Sequence, residues 1–225
     1  MSGSANAARR LVARLAGLLC AGALAVAVAA CDEQKPWHET DVTGALPPLA
    51  FTMTRADDGK TVTAEDYRGK IVLLYFGYTY CPDVCPTTLA NITQVLDRMG
   101  PDDAGAVRVL FVTVDPKRDT VAVLKQYADA FAPQVDGLRG DQGQLAAFAK
   151  RYRVAYSVRP KTPGHDYEVS HGSAVYVFDR SGKARLLLSS LASGEPEIPG
   201  TTADLKRLVE SDRPHSLWNR LVSLF

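Results

Sequence analysis

The chain has 225 residues, of which 26 are lysine or arginine and 25 are aspartate or glutamate, giving a net charge of +1 at pH 7. Without the three arginines near its start, 23 basic and 25 acidic residues leave a net charge of −2, and no long basic run remains. This composition argues against a nucleic acid or another polyanion as the partner. The length predicts one domain of ordinary size with a proper core.

The first thirty residues have the pattern of an export signal. Arg9, Arg10 and Arg14 occur without any acid, and residues 15–30 are apolar or small throughout. A basic segment followed by an apolar segment is typical of a secretory signal peptide. We therefore expect a signal peptide over residues 1–30.

Cys31 directly follows two alanines at the end of this leader, an arrangement that resembles a bacterial lipobox. It predicts cleavage before Cys31, lipidation of Cys31 and a domain held at the periplasmic side of the bacterial inner membrane. The alternative is an uncleaved transmembrane anchor, for which the apolar run is short of the ~20 residues that a span needs. Either alternative places the domain outside the cytoplasm, on a membrane surface.

Three further segments follow the leader. Residues 31–48 are polar and contain three prolines, which predicts a membrane-proximal spacer. Residues 49–211 form the predicted domain. Residues 212–225 form an apolar C-terminal tail with helical spacing, for which docking on the domain and contact with the membrane are the alternatives.

The domain pattern predicts an α/β fold with a mixed central sheet flanked by helices. The run at 71–76 is continuously apolar and rich in β-branched and aromatic residues, which indicates a buried central strand. The other predicted strands are 51–55 as an edge strand, 107–114, a short segment near 138, 154–158, and a hairpin of 173–179 with 184–188. The predicted helices are one after the cysteine loop with apolar positions up to 99, one from an Asp119 cap to 131, one at 142–151, and one at 201–211.

Cys81 and Cys85 lie in the loop between the central strand and its helix, an arrangement that points to a thioredoxin-like fold. Two cysteines four positions apart on a forming helix face the same side. The positive end of the helix dipole stabilises their thiolates. Such a pair can close a structural disulfide, exchange with another disulfide, or bind a metal.

A metal would need a third ligand, for which the sequence offers four histidines: His38, His165, His171 and His215. His171 directly precedes an apolar strand that should lie beside the central strand, so it is the best-placed candidate. A capping or core histidine is the alternative role. Two thiolates with one imidazole favour copper, although zinc accepts the same set.

Three segments together resemble the Sco/SenC family of copper proteins. They are GYTYCPDVCP at 77–86, FVTVDPKRDT at 111–120, and SHGS at 170–173 followed by VYVFD at 175–179. The resemblance covers roughly residues 47–211. It implies a thioredoxin-like domain held to a membrane, with one copper ion, Cu(I) or Cu(II), bound by Cys81, Cys85 and His171.

The resemblance also implies a role in assembling the dinuclear copper site of cytochrome c oxidase subunit II. We therefore expect a copper metallochaperone rather than an enzyme, which delivers copper to that site and can also reduce its cysteines. The alternatives are a thioredoxin-type thiol–disulfide oxidoreductase or redox sensor that uses Cys81 and Cys85, and a peroxidase of the peroxiredoxin type. Against a thioredoxin, the cysteines have three residues between them, and residues 169–171 lack the proline that thioredoxins place there.

Overall fold

The computed structural model describes residues 36–159 and 167–211. The predicted leader, Cys31, most of the loop predicted at 159–168, and the C-terminal tail lie outside the described residues. The strands are β1 Thr40–Asp41, β2 Thr52–Arg55, β3 Thr61–Thr63, β4 Ile71–Gly77, β5 Val107–Thr113, β6 Val135–Arg139, β7 Tyr156–Arg159, β8 Glu168–His171, β9 Val175–Phe178 and β10 Ala184–Leu188. The helices are α1 Val84–Met99, α2 Pro101–Ala104, α3 Val121–Asp129, α4 Gln142–Arg151 and α5 Ile198–Ser211.

Eight strands form one mixed sheet in the order β1-β10-β9-β4-β5-β6-β2-β3. β4, β5 and β6 are parallel, whereas β9 runs antiparallel to β4 on its other side. Every residue of β4 is buried, as the apolar run predicted. The prediction of a thioredoxin-like α/β fold is confirmed.

Helices cover both faces of this sheet. Successive side chains of a strand point to opposite faces, and neighbouring residues of β4 contact different helical layers. Tyr75 packs on Phe111, whose ring contacts Tyr127 of α3. Phe76 packs instead on Phe148 of α4. The core therefore lies on both sides of β4, and the carboxyl end of β4 opens toward the cysteine loop.

Short strands account for most departures from the predicted pattern. The segment predicted as an edge strand, β2, lies between β6 and β3, so β3 is the edge. β3 has three residues and β8 has four, too few for a clear alternation of apolar and polar side chains. Helix α5 begins at Ile198, before the predicted start at 201, and α3 ends at Asp129, before the predicted end at 131.

The folded unit also extends into the segment predicted as a spacer. β1 pairs antiparallel with β10. The Glu39 carboxylate accepts hydrogen bonds from Ser190 and Thr201 at 2.7 and 2.6 Å, and the backbone amides of His38 and Glu39 donate to the Asp204 carboxylate at 2.9 Å. A two-residue strand carries no periodic signal, so the sequence alone placed the start of the domain too late.

Candidate metal centre

The two cysteines lie where the central strand gives way to a helix. Cys81 is in the loop after β4 and is half-buried, whereas Cys85 is in the first turn of α1 and is fully buried. The Cys85 backbone amide donates to Sγ of Cys81 at 3.4 Å. This hydrogen bond holds the sulfur of Cys81 at the first turn of α1. The two thiols are not bonded to each other.

His171 is the last residue of β8, opposite Tyr156 in a two-stranded sheet of β7 and β8. Its Nε2 atom lies 3.1 Å from Sγ of Cys85, and its Nδ1 atom lies 2.9 Å from the carbonyl oxygen of Gly172. A carbonyl oxygen only accepts, so Nδ1 carries the proton and Nε2 presents its lone pair to the cysteines.

Three potential ligand atoms thus converge, from Cys81, Cys85 and His171, all within 4.8 Å of one another. A metal bound about 2.0–2.3 Å from nitrogen and sulfur holds its ligands about 3–4 Å apart. The spacing therefore fits one ion with little movement. Two soft thiolates and one imidazole are the donors that Cu(I) prefers, and zinc accepts the same set. Within residues 36–159 and 167–211, no other group of three such side chains is this close.

Burial sets the charge of this site before any metal binds. It raises the pKa of the Cys85 thiol to about 12, since a thiolate there would lose its hydration, and this effect outweighs the stabilisation by the helix dipole that the sequence predicts. Burial also lowers the pKa of His171 below its ordinary value of 6.5. Near neutral pH the buried thiol and the imidazole are therefore both uncharged. A bound cation supplies the positive charge that makes a buried thiolate stable.

Two tyrosine rings hold the imidazole in place. Tyr75 and Tyr78 contact the His171 ring edge-on, with centroids 6.1 and 5.7 Å apart. The Tyr78 hydroxyl also donates to the carbonyl oxygen of Val169 in β8 at 3.2 Å. Tyr75 and Tyr78 are buried, whereas Tyr80, the residue before Cys81, is 62% exposed.

Gly77 makes room for the buried sulfur. A Cβ atom at this position would lie 2.9 Å from Sγ of Cys85 and 2.5 Å from a ring carbon of Phe111. Both separations are shorter than ordinary van der Waals contact. The end of β4 can therefore approach the cysteine helix closely only with glycine here.

Asp119 anchors the cysteine loop, and its predicted role as a helix cap is wrong. Thr120 caps α3 through its side chain, whereas Asp119 is fully buried and accepts three hydrogen bonds. They come from the Thr79 amide at 3.0 Å, the Thr79 hydroxyl at 2.6 Å and the Thr113 hydroxyl at 2.5 Å. Asp119 thereby ties the loop that carries Cys81 to the end of β5.

Asp115 is a second buried carboxylate near the cysteine loop, and it connects two other segments of the chain. It is 2% exposed at the end of β5, and its carboxylate accepts hydrogen bonds from Arg118 and from the Tyr167 hydroxyl. Tyr167 lies just before β8, the strand that ends at His171. Sequence analysis missed both partners, because neither a tyrosine beside a polar loop nor an arginine in a turn marks a buried contact.

Of the remaining predicted site residues, only His38 lies in the described part of the chain, and it does not belong to the cysteine–histidine group. His38 lies at the start of the folded unit, where its backbone amide binds Asp204. His165, His215 and Cys31 lie outside the described residues. No helix in the described part of the chain is long and apolar enough to cross a bilayer.

Comparison with known proteins finds relatives over the whole of this domain. The SCO1/SenC family model matches residues 48–210. The mouse mitochondrial SCO2 homolog is 36% identical over 194 residues, which are 84% of this chain and 71% of the mouse protein. The human mitochondrial SCO1 homolog is 37% identical over 138 residues, 59% of this chain and 44% of the human protein. The matched segment thus spans less than half the length of some of the relatives.

Solved structures agree with this relationship. Copper-bound ScoI from Bradyrhizobium japonicum is 40% identical, with a TM-score of 0.63 over 72% of this chain and 98% of that one. Apo Sco1 from Thermus thermophilus is 32% identical, with a TM-score of 0.68 over 78% of this chain and 99% of that one. Since the family match spans well over half of the sequence, the chain belongs to the SCO1/SenC family.

Proposed function

We propose that this protein binds one copper ion through Cys81, Cys85 and His171 and delivers it to another protein. The observation that carries this proposal is the convergence of two thiols and an imidazole nitrogen within 4.8 Å. Support comes from the 40% identical ScoI of Bradyrhizobium japonicum and the 29% identical ScoI of Arabidopsis thaliana, both of which have been solved with copper bound.

The two cysteines have different exposure, which suggests different parts in delivery. Cys85 is fully buried, so its sulfur is the ligand that an incoming protein reaches last. Cys81 is half-exposed beside the exposed ring of Tyr80. A thiolate of an acceptor can therefore replace Cys81 first and draw the copper out by stepwise ligand exchange. Each step breaks one copper–sulfur or copper–nitrogen bond as a copper–ligand bond to the acceptor forms, and each released thiolate takes up the proton that an incoming thiol gives off, so no oxidant or reductant is needed.

We propose the dinuclear copper site of cytochrome c oxidase subunit II as the acceptor. Membership of the SCO1/SenC family supports this choice, as does a donor set suited to Cu(I). The role is binding and delivery rather than catalysis of a reaction. The metal-free dithiol can also reduce a disulfide between the acceptor's cysteines, so reduction and copper delivery can be functions of the same protein.

We further propose that the domain is tethered by lipid on Cys31 at the periplasmic side of the inner membrane. The lipobox-like end of the leader supports this, together with the 26% identical SCO1/SenC family lipoprotein of Bacillus anthracis, which has a TM-score of 0.61. Mass spectrometry of the membrane-extracted chain should find an N-terminal diacylglyceryl cysteine. An unmodified chain that retains residues 1–30 would contradict the tether.

The second candidate function is thiol–disulfide exchange by Cys81 and Cys85. The two thiols are free and within 4.8 Å of each other, so they need little movement to form a disulfide. In an oxidising compartment, we expect metal-free protein to drift to this disulfide and copper to protect against it. Labelling the thiols of protein purified without reductant tests this; two free thiols would count against it.

Copper transfer distinguishes the two functions. The full chain, loaded with Cu(I), is mixed with the reduced copper-binding domain of a cytochrome c oxidase subunit II, the two proteins are separated, and the copper content of each is measured. Delivery predicts that the acceptor gains the copper that the donor loses, and that this transfer fails with Cys85→Ser. Turnover of a disulfide substrate by metal-free protein, without any copper transfer, would favour the oxidoreductase.

A further inference from the structure

The residue proposed as third ligand sits on an arm that is separate from the main sheet. In the described part of the chain, β7 and β8 pair as strands only with each other. His171 is the last residue of this arm. Cys81 instead lies in the loop after β4, and Cys85 lies in the first turn of α1. The ladder of the main sheet therefore does not fix the distance between His171 and Cys85, and other contacts must do so.

Tyr167 supplies one such contact at the start of β8. Its hydroxyl donates to Oδ1 of Asp115 at 2.5 Å. Asp115 is 2% exposed and follows the end of β5, a central strand of the main sheet. A hydrogen bond to a buried carboxylate is stronger than one between neutral groups. The bond thus attaches the arm to the rigid part of the domain.

Arg118 connects the same point to the cysteine loop. Its Nε atom donates to Oδ2 of Asp115. Its guanidinium lies 4.2 Å from the ring centroid of Tyr167, just before β8. It also lies 5.1 Å from the ring centroid of Tyr80 and 5.9 Å from that of Tyr78, both in the cysteine loop. Cation–π contacts of this kind are attractive at less than about 6 Å. One side chain therefore bridges the loop of Cys81 and the arm of His171.

We propose that Asp115, Arg118 and Tyr167 are positioning residues that hold the His171 arm against the cysteine loop. We call these three residues the arm latch. None of them contributes an atom to the cysteine–histidine group, so their effect on copper is indirect and comes from holding His171 against the cysteine loop. This inference rests on the proposed copper site and assigns the latch the task of keeping the third ligand within reach of the two thiols.

The arm latch predicts a change in Cu(I) affinity that depends on the presence of His171. A general role in fold stability predicts no such dependence. Loosening the arm weakens the imidazole ligand and leaves the two thiolates in place. Tyr167→Phe should lower Cu(I) affinity about tenfold, the lower end of the range for groups bonded directly to a metal ligand, because Tyr167 acts on His171 through β8. In a His171→Ala background the same change should alter affinity by less than about twofold, because the ligand it positions is already gone. Arg118→Lys, which keeps the charge but cannot stack in the same way, should behave similarly.

The test combines this double-mutant cycle with a measurement on metal-free protein. Cu(I) affinities of the full chain in detergent are measured by competition with a chromophoric chelator. Amide hydrogen exchange over residues 167–171 is measured without copper, where Tyr167→Phe should exchange faster than the parent protein. Tyr176→Phe is the matched control, because it removes a tyrosine hydroxyl bond to the Tyr152 carbonyl, away from the arm.

The outcomes separate the latch from the copper site itself. A parent protein that binds no copper overturns the proposed function, while amide exchange still tests whether the latch holds the arm. Unchanged exchange in both Tyr167→Phe and Arg118→Lys overturns the latch. So does an affinity loss from Tyr167→Phe that is equally large with and without His171, since this would mark a general effect on the fold.

Discussion

Sγ of Cys85 lies 3.1 Å from Nε2 of His171, although 86 positions separate these residues in the chain. The topology of the sheet explains this approach. β9 runs antiparallel to β4, so the segment before β9 and the segment after β4 meet at the same edge. His171 lies in the first of these segments and Cys85 follows the second. The fold thus assembles a three-ligand group from two distant parts of the sequence.

Copper affinity should rise with pH. Burial raises the pKa of the Cys85 thiol to about 12, so this thiol is protonated near neutral pH and must release its proton to bind a metal. Burial lowers the pKa of His171, which is therefore already neutral and releases no proton. Between pH 7 and 9 we expect at least one proton released per copper, which is about a tenfold gain in apparent Cu(I) affinity per pH unit.

Competition titrations against a chelator of known protonation behaviour measure this slope. Cys85→Ser is the control and should reduce the slope by one proton. An affinity for Cu(I) that is the same at pH 7 and pH 9 would mean that Cys85 does not bind the metal as a thiolate.

Gly77→Ala should damage both the fold and the site. The added methyl group would lie 2.9 Å from Sγ of Cys85 and 2.5 Å from Phe111. Such overpacking typically costs about 1–3 kcal/mol. A displacement of Cys85 that weakens the bound state by about 1.4 kcal/mol lowers affinity tenfold. Urea unfolding and Cu(I) competition measure the two effects. Gly194→Ala is the control, because a Cβ there meets nothing within 4 Å, and equal behaviour of both variants would refute the packing argument.

Asp119→Ala should destabilise the domain far more than the loss of a helix cap. It removes three hydrogen bonds to a fully buried carboxylate and leaves the hydroxyl of Thr113 without that partner. We expect a loss of about 2–4 kcal/mol in the free energy of unfolding. Thr120→Ala removes the actual cap of α3 and should cost only about 1 kcal/mol. Chemical denaturation compares them, and similar losses would return Asp119 to an ordinary capping role.

Truncation tests where the folded unit begins. A chain starting at residue 49 lacks β1 and Glu39, whose carboxylate accepts from Ser190 and Thr201. Relative to a chain starting at residue 36, it should lose about 2–4 kcal/mol of unfolding free energy. Urea midpoints and slopes measure the difference. Two truncated chains of equal stability would show that residues 36–48 are a spacer, as their composition first indicated.

Long patterned segments made much of the fold predictable. The apolar run that became β4, the hairpin of β9 and β10 and the helix after Cys81 all carry several residues of periodic signal. The choice of His171 among four histidines needed only the neighbouring apolar strand and its expected place beside β4. These features come from local patterns and from the rules that join strands into sheets.

The contacts that complete the site could not be predicted in the same way. Asp119 has the same sequence context whether it caps a helix or accepts bonds from Thr79, 40 residues away. Nothing in the sequence around Asp115 indicates that Tyr167, 52 residues away, donates a hydrogen bond to it. The strand that carries His171 was hidden beside a polar loop. Long-range partners of buried polar groups leave no periodic signal in the sequence.

The most direct test of the account is the copper content and spectrum of the reduced protein beside Cys81→Ser, Cys85→Ser and His171→Ala. We predict one copper per chain in the parent. Its Cu(II) form should show a thiolate-to-copper charge-transfer band that each substitution abolishes or shifts. A parent that binds no copper, or a His171→Ala variant with unchanged affinity and spectrum, would contradict the assignment of these three residues as the metal site.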